Sequence, residues 1–194
     1  MSVAHAPMIE RLWPDAGNRA LRAVVLVALG NLLLVASAKV SVPMVPVPMT
    51  MQTLVVLLIG MTYGTRLGVA TTLAYLAEGA VGLPVFTNTP PQIASLAYFV
   101  GPTGGYLVGF VLAVGAMGWM VERGWGEGAL RRTVALSVGT VVPLAAGVAW
   151  LATLIGFERA LVAGLLPFLV GAVVKQALAY AVVAAAEGAL ARRG

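Results

Sequence analysis

No cysteine occurs in the 194-residue chain. That excludes a disulfide framework, a thiolate catalyst and any cysteine metal site. Histidine occurs once, as His5 in the polar N-terminal segment, which leaves zinc without a ligand set. The phosphate-loop spacing G-x-x-x-x-G-K-[ST] is absent, and so is any nucleophile–base or metal constellation of the kind an enzyme needs. Charge is scarce: 10% of residues are charged, against about 25% in an average soluble domain. So few charges cannot cover a water-exposed surface. The net charge of +5 does not indicate nucleic acid, because the arginines punctuate apolar segments instead of clustering on one face.

What is present is apolar sequence, 60% of the chain, in runs separated by Gly, Pro or a few charges. A membrane span needs about 20 predominantly apolar residues. Such runs lie at 20–38, 67–83, 103–121 and 133–156, with a shorter one at 50–63. The run 161–191 is too long for one span, and Pro167 predicts its true start. The expected fold is an all-α integral membrane protein, a six-transmembrane-helix bundle. Residues 1–19 form a cytoplasmic N-terminal segment and 20–191 a single membrane domain. With both termini cytoplasmic, Arg11, Arg19, Arg22, Arg66, Arg123, Arg131, Arg132, Arg192 and Arg193 fall inside. Only Lys39 and Arg159 fall outside, and Lys175 lies within the last helix, as the positive-inside rule favours. A competing reading of the first run is a signal peptide, with Arg19 and Arg22 before it and "ASA" at 36–38 as the cleavage site.

Two uncharged, proline-rich segments then face outward. One is "VSVPMVPVPM" (40–49); the other, 84–102, carries Asn88, Gln92 and Tyr98. Irregular backbone at membrane depth persists where protein buries it or where it lines a cavity. The pair predicts the walls of an outward-facing pocket, the alternative being two ordinary loops. "GPTGGYLVGF" (101–110) repeats glycine every fourth residue, a face for close helix packing. Gly104 and Gly105 stand at a helix start, where free N–H groups meet ligands. Lys175 lies eight residues after Pro167, about 12 Å along a helix. A cation there costs about 2.5–3.5 kcal/mol on insertion scales and marks function by default. It is a candidate for a substrate carboxylate. The structural alternative is a partner, Glu78 being the obvious one. Gln52 and Gln176 are weaker candidates, since a glutamine often only bridges helices.

Five ordered blocks carry a resemblance: "VPVPMTMQTL" (45–54), "LLIGMTYGTRLG" (57–68), "YLAEGAVGLPVF" (75–86), "GPTGGYLVGF" (101–110) and "PFLVGAVVK" (167–175). Over roughly residues 20–190 the chain resembles BioY, the biotin-specific S component of energy-coupling-factor (ECF) transporters. The resemblance implies biotin capture at the outer face of the cell (inner) membrane by a multi-pass protein without cofactor. It also implies partnership with a transmembrane coupling (T) component and two ABC-type ATPases. Carried over, Lys175 meets the biotin carboxylate, and Asn88 and Tyr98 lie near the ligand. Gln92, Gln52 and the turn Thr103, Gly104, Gly105 and Tyr106 are further expected contacts. The first loop, with Pro46 and Pro48, becomes a lid. The family's last-helix block usually reads Pro-Phe-x-x-Gly-Asp-x-x-Lys, and here Ala172 replaces the Asp. Glu78 stands where the family usually carries an apolar residue, which raises the expectation that it supplies the missing charge near Lys175. An S component for another small vitamin and a stand-alone carrier are the alternatives.

Overall fold

The computed structural model describes residues 7–13, 17–87 and 96–192. Among them are seven helices, where six were expected: α1 (Met8–Leu12), α2 (Arg19–Lys39), α3 (Gln52–Ala80), α4 (Gly104–Met120), α5 (Ala129–Ile155), α6 (Phe157–Gly164) and α7 (Phe168–Ala191). Five of these, α2, α3, α4 with its π-helical continuation to Trp125, α5 and α7, are long and apolar enough to cross a membrane. The differences from expectation have local causes. The runs at 50–63 and 67–83 are one element, α3, bent at Gly64. The apolar piece before Pro167 is a separate short helix, α6. The segment before α2 contains α1, whose Met8 is buried in the core.

The bend in α3 is a reversal. Gly64 has φ 76° and ψ −179°, a region essentially reserved for glycine. Gln52 Nε2 donates to the Tyr75 hydroxyl across 2.7 Å. In a straight helix those residues would stand about 35 Å apart, so the two arms of α3 run antiparallel. The turn is held from α4's continuation. Glu122 accepts from the Thr65 amide (2.8 Å) and from the Thr65 hydroxyl (3.0 Å).

The remaining elements pack around this hairpin. α4 nests against both α3 and α5. At Gly109 an added Cβ would stand 2.6 Å from the Pro143 Cα of α5, so only glycine permits that approach. α7 starts at Pro167, which occupies the N-cap position; a missing N–H costs nothing there. Two antiparallel residue pairs, Ser41↔Thr50 and Val42↔Met49, form a ribbon that closes the base of the first loop.

The two ends of the bundle differ. One carries the Gly64 turn, α1 and Arg66, Arg123 and Arg131. There Arg132, buried at the start of α5, pairs with Glu187 of α7 and donates to the Gly126 carbonyl. The other end carries the first loop, residues 84–87, the 3₁₀ turn Leu96–Tyr98 and α6, with Lys39 and Arg159 among its basic residues.

Candidate functional site

A cleft opens at this second end, with about 740 Å³ of space when the open mouth is counted. Val47, Pro48 and Thr50 of the first loop and ribbon form one side. Gln52, Thr53 and Leu57 of α3 continue it, with Phe86 and Thr87 beyond. Tyr98 and Thr103 precede α4, which adds Tyr106, Leu107 and Phe110. Thr140, Pro143 and Leu144 come from α5, and Phe168, Ala172 and Lys175 from α7. α2 contributes no lining residue.

All but one of the polar groups described next are held by a hydrogen-bond partner. Lys175 is 6% exposed, and its ammonium donates to the Thr50 carbonyl at 3.0 Å. Among the described residues that line the cleft it is the one that is charged. Among the described residues no carboxylate pairs with it. Gln52 is fixed by the Tyr75 hydroxyl, which itself donates to the Val85 carbonyl at 3.1 Å. Tyr98 donates to the Thr87 carbonyl at 3.1 Å and stacks on Phe86, with ring centroids 4.7 Å apart. Burial raises the Tyr98 pKa above the usual phenol value, partly countered by its hydrogen bond with Thr103. It therefore stays a neutral donor at physiological pH. Tyr106 donates to the Gly164 carbonyl of α6 at 2.6 Å. Thr53 Oγ1 is buried and has no hydrogen-bond partner among the described residues.

Of the residues expected at the site, Lys175, Gln52, Tyr98, Thr103 and Tyr106 come together around the cleft. Asn88 and Gln92 lie outside the described residues. Gly104 and Gly105 do not line the cleft. Gly104 donates to the Gly101 carbonyl at 3.1 Å, and a Cβ on Gly105 would run into Trp150 and the Ala146 carbonyl. Gly105 serves close packing against α5, and Gly104 gives room to the Phe99 carbonyl of the turn before α4. Glu78 does not line the cleft either: its carboxylate accepts from Asn31 of α2 at 2.7 Å, while Lys175 turns to Thr50. Gln176 bonds the Ser137 hydroxyl of α5 at 2.9 Å, bridging helices as the alternative reading had it. Sequence reasoning missed Phe86, Phe110, Thr53 and Thr140. Thr53 adjoins Gln52, so its helix position was readable; the others are apolar or hydroxyl residues with no distinguishing local pattern.

Among the described residues the cleft thus offers one cation, one side-chain amide, several hydroxyls, and aromatic and aliphatic walls. That set suits a small anion with an apolar body and a polar edge.

Comparison with known proteins points the same way. The model of a family described as "BioY family" matches residues 9–192. The probable biotin transporter BioY of Pyrococcus horikoshii is 37% identical over 165 residues, covering 85% of this chain and 96% of that protein. The biotin transporter BioY of Rhizobium etli is 38% identical over 169 residues, covering 82% and 86%. The fold is similar to the crystal structure of the S-component for biotin from an ECF-type ABC transporter. The TM-score is 0.74 at 21% identity, over 87% of this chain and 92% of that one.

Proposed function

This chain belongs to the BioY family, and from that premise we propose that it is the biotin-binding S component of an ECF-type uptake transporter. It is a membrane transport protein and not an enzyme. The observation that carries the reading is Lys175: a buried cation in an otherwise uncharged, apolar-walled cleft. Biotin presents a carboxylate, an apolar bicyclic body and a polar ureido edge. Lys175 takes the carboxylate, and the aromatic and Val/Pro walls take the body. Gln52, Tyr98 and neighbouring hydroxyls face the polar edge; Asn88 and Gln92, outside the described residues, are proposed as further contacts on sequence resemblance alone.

The bundle sits in the cell membrane with both termini cytoplasmic and the cleft facing outward. The reversal at Gly64 supports six membrane-crossing legs, counting the two arms of α3 separately. The basic residues support the orientation: Arg66, Arg123, Arg131 and Arg132 gather at the end away from the cleft, the arrangement expected of a cytoplasmic face. The first loop acts as a lid. Water excluded beneath it strengthens the attraction between Lys175 and the carboxylate. Release to the inside requires opening at the cytoplasmic end, driven by the T component and two ABC-type ATPases, since this chain has no nucleotide motif.

Purified protein, denatured and examined by mass spectrometry, is expected to release biotin. Titration of ligand-free protein is expected to show tight, one-to-one binding. A panel of other vitamins that binds as well as biotin, or better, overturns the assignment. Uptake in cells lacking the T component and ATPases separates an S component from a stand-alone carrier.

A further inference from the structure

The segment 84–87 has no regular secondary structure, yet it holds Phe86 and Thr87 on the cleft wall. Irregular backbone at this depth must find partners for its carbonyls. Each of the four carbonyls is taken by a side chain. Lys39 Nζ donates to the Pro84 carbonyl at 2.6 Å and to the Phe86 carbonyl at 2.7 Å. Tyr75 takes Val85 and Tyr98 takes Thr87, each at 3.1 Å. In return, the Thr87 hydroxyl donates to the Ala38 carbonyl at 2.7 Å.

Lys39 is the last residue of α2, the one membrane-length helix that lines no part of the cleft. It supplies two of the four donors, and both bonds carry a full charge, which makes them stronger than neutral ones. Between its two acceptors lies the backbone that fixes the Phe86 ring. That ring stacks on Tyr98 and meets Tyr75 edge-on at 5.4 Å. We propose that Lys39 is a positioning residue for binding: from outside the cleft it pins segment 84–87 and so holds the Phe86–Tyr98 wall in place. A lysine that merely keeps its charge in water at a helix end would not need two short bonds to one irregular strand.

For its ligand the inference rests on the biotin reading above, so the test has two arms. In the first, Lys39→Met keeps the apolar stem and removes the charge. Biotin is expected to dissociate about tenfold faster, the scale of losing charged hydrogen bonds. Lys39→Arg is expected to restore the wild-type rate. An unchanged dissociation rate in Lys39→Met overturns the proposal, as does a lowered melting temperature in both variants with wild-type rates. The second arm uses ligand-free protein and hydrogen exchange of the amides at 85–87. Faster exchange in Lys39→Met, reversed in Lys39→Arg, supports the proposal; exchange equal to wild type overturns it. Failure of the wild-type protein to bind biotin would strike the functional reading, while this arm still decides the role of Lys39. Should Lys39→Met not fold, Lys39→Gln replaces it in both arms.

Discussion

Replacing Lys175 with methionine removes the cleft's charge and keeps most of its volume. Its ammonium stands 3.0 Å from the Thr50 carbonyl. A carboxylate placed beside it at a similar distance, with an effective dielectric of about 20, would gain roughly 5 kcal/mol of Coulomb energy. Desolvating both ions offsets much of that. The net worth of a charged hydrogen bond is about 1.5–3 kcal/mol, or about 10- to 150-fold in Kd. Calorimetric titration of ligand-free Lys175→Met should therefore show biotin binding weakened by that factor. A neutral biotin amide completes a double-mutant cycle. It should bind the wild type more weakly than biotin does, and should bind the variant about as well as biotin does. The variant should melt no lower than the wild type without ligand, because a buried cation held by one carbonyl is costly in a membrane helix. Biotin affinity within twofold of wild type would refute the placement of the carboxylate at Lys175. So would an amide that loses as much affinity as biotin does between wild type and variant.

Three further outcomes follow from named contacts. Pro48→Gly frees the backbone of the first loop, and stopped-flow measurements should show biotin leaving about 2–5-fold faster, matching the roughly 0.4–1 kcal/mol by which such replacements change chain entropy. Gly64→Ala forces a side chain into a glycine-only conformation, 2.6 Å from Pro7 Cγ and 3.0 Å from the Glu122 carboxylate; thermal unfolding should show a loss of about 1–3 kcal/mol or more. Glu187→Gln leaves Arg132 buried without its counter-charge. The expected cost is about 2–3 kcal/mol, below that of a fully buried pair because Glu187 is 26% exposed, and it should appear as a lower melting temperature with biotin affinity unchanged.

Much of the fold was readable because hydropathy and charge act locally. The spans, the α7 start after Pro167 and the unequal distribution of arginine all come from short windows of sequence. The turn in α3 was placed between its two runs, near Arg66, but its dependence on Gly64 was not. The space at that turn is filled by Pro7 and Glu122, from elsewhere in the chain, and leaves no room for a Cβ. Lys175 stood out because a cation in an apolar run has no local explanation. Glu78 stood out for the same reason and was given the wrong partner. Which neighbour a buried carboxylate meets depends on helix rotation, and α2 presents Asn31 to it. Gly104 and Gly105 show the opposite ambiguity: one small residue serves close packing and ligand approach equally well, and only the positions of the Phe99 carbonyl and of Trp150 separate the two.

The ribbon at 41–42 and 49–50 has a consequence for access. It fastens both ends of the first loop together, leaving six residues, 43–48, between them. From a pinned base, three extended residues reach at most about 11 Å. The loop tip is therefore a flap on a short tether. It can uncover the mouth of the cleft, but it cannot swing clear of it. Such excursions belong to the nanosecond-to-microsecond range of loop motion, not to slower domain rearrangements. The width of the entrance on this side is thus capped by the tether.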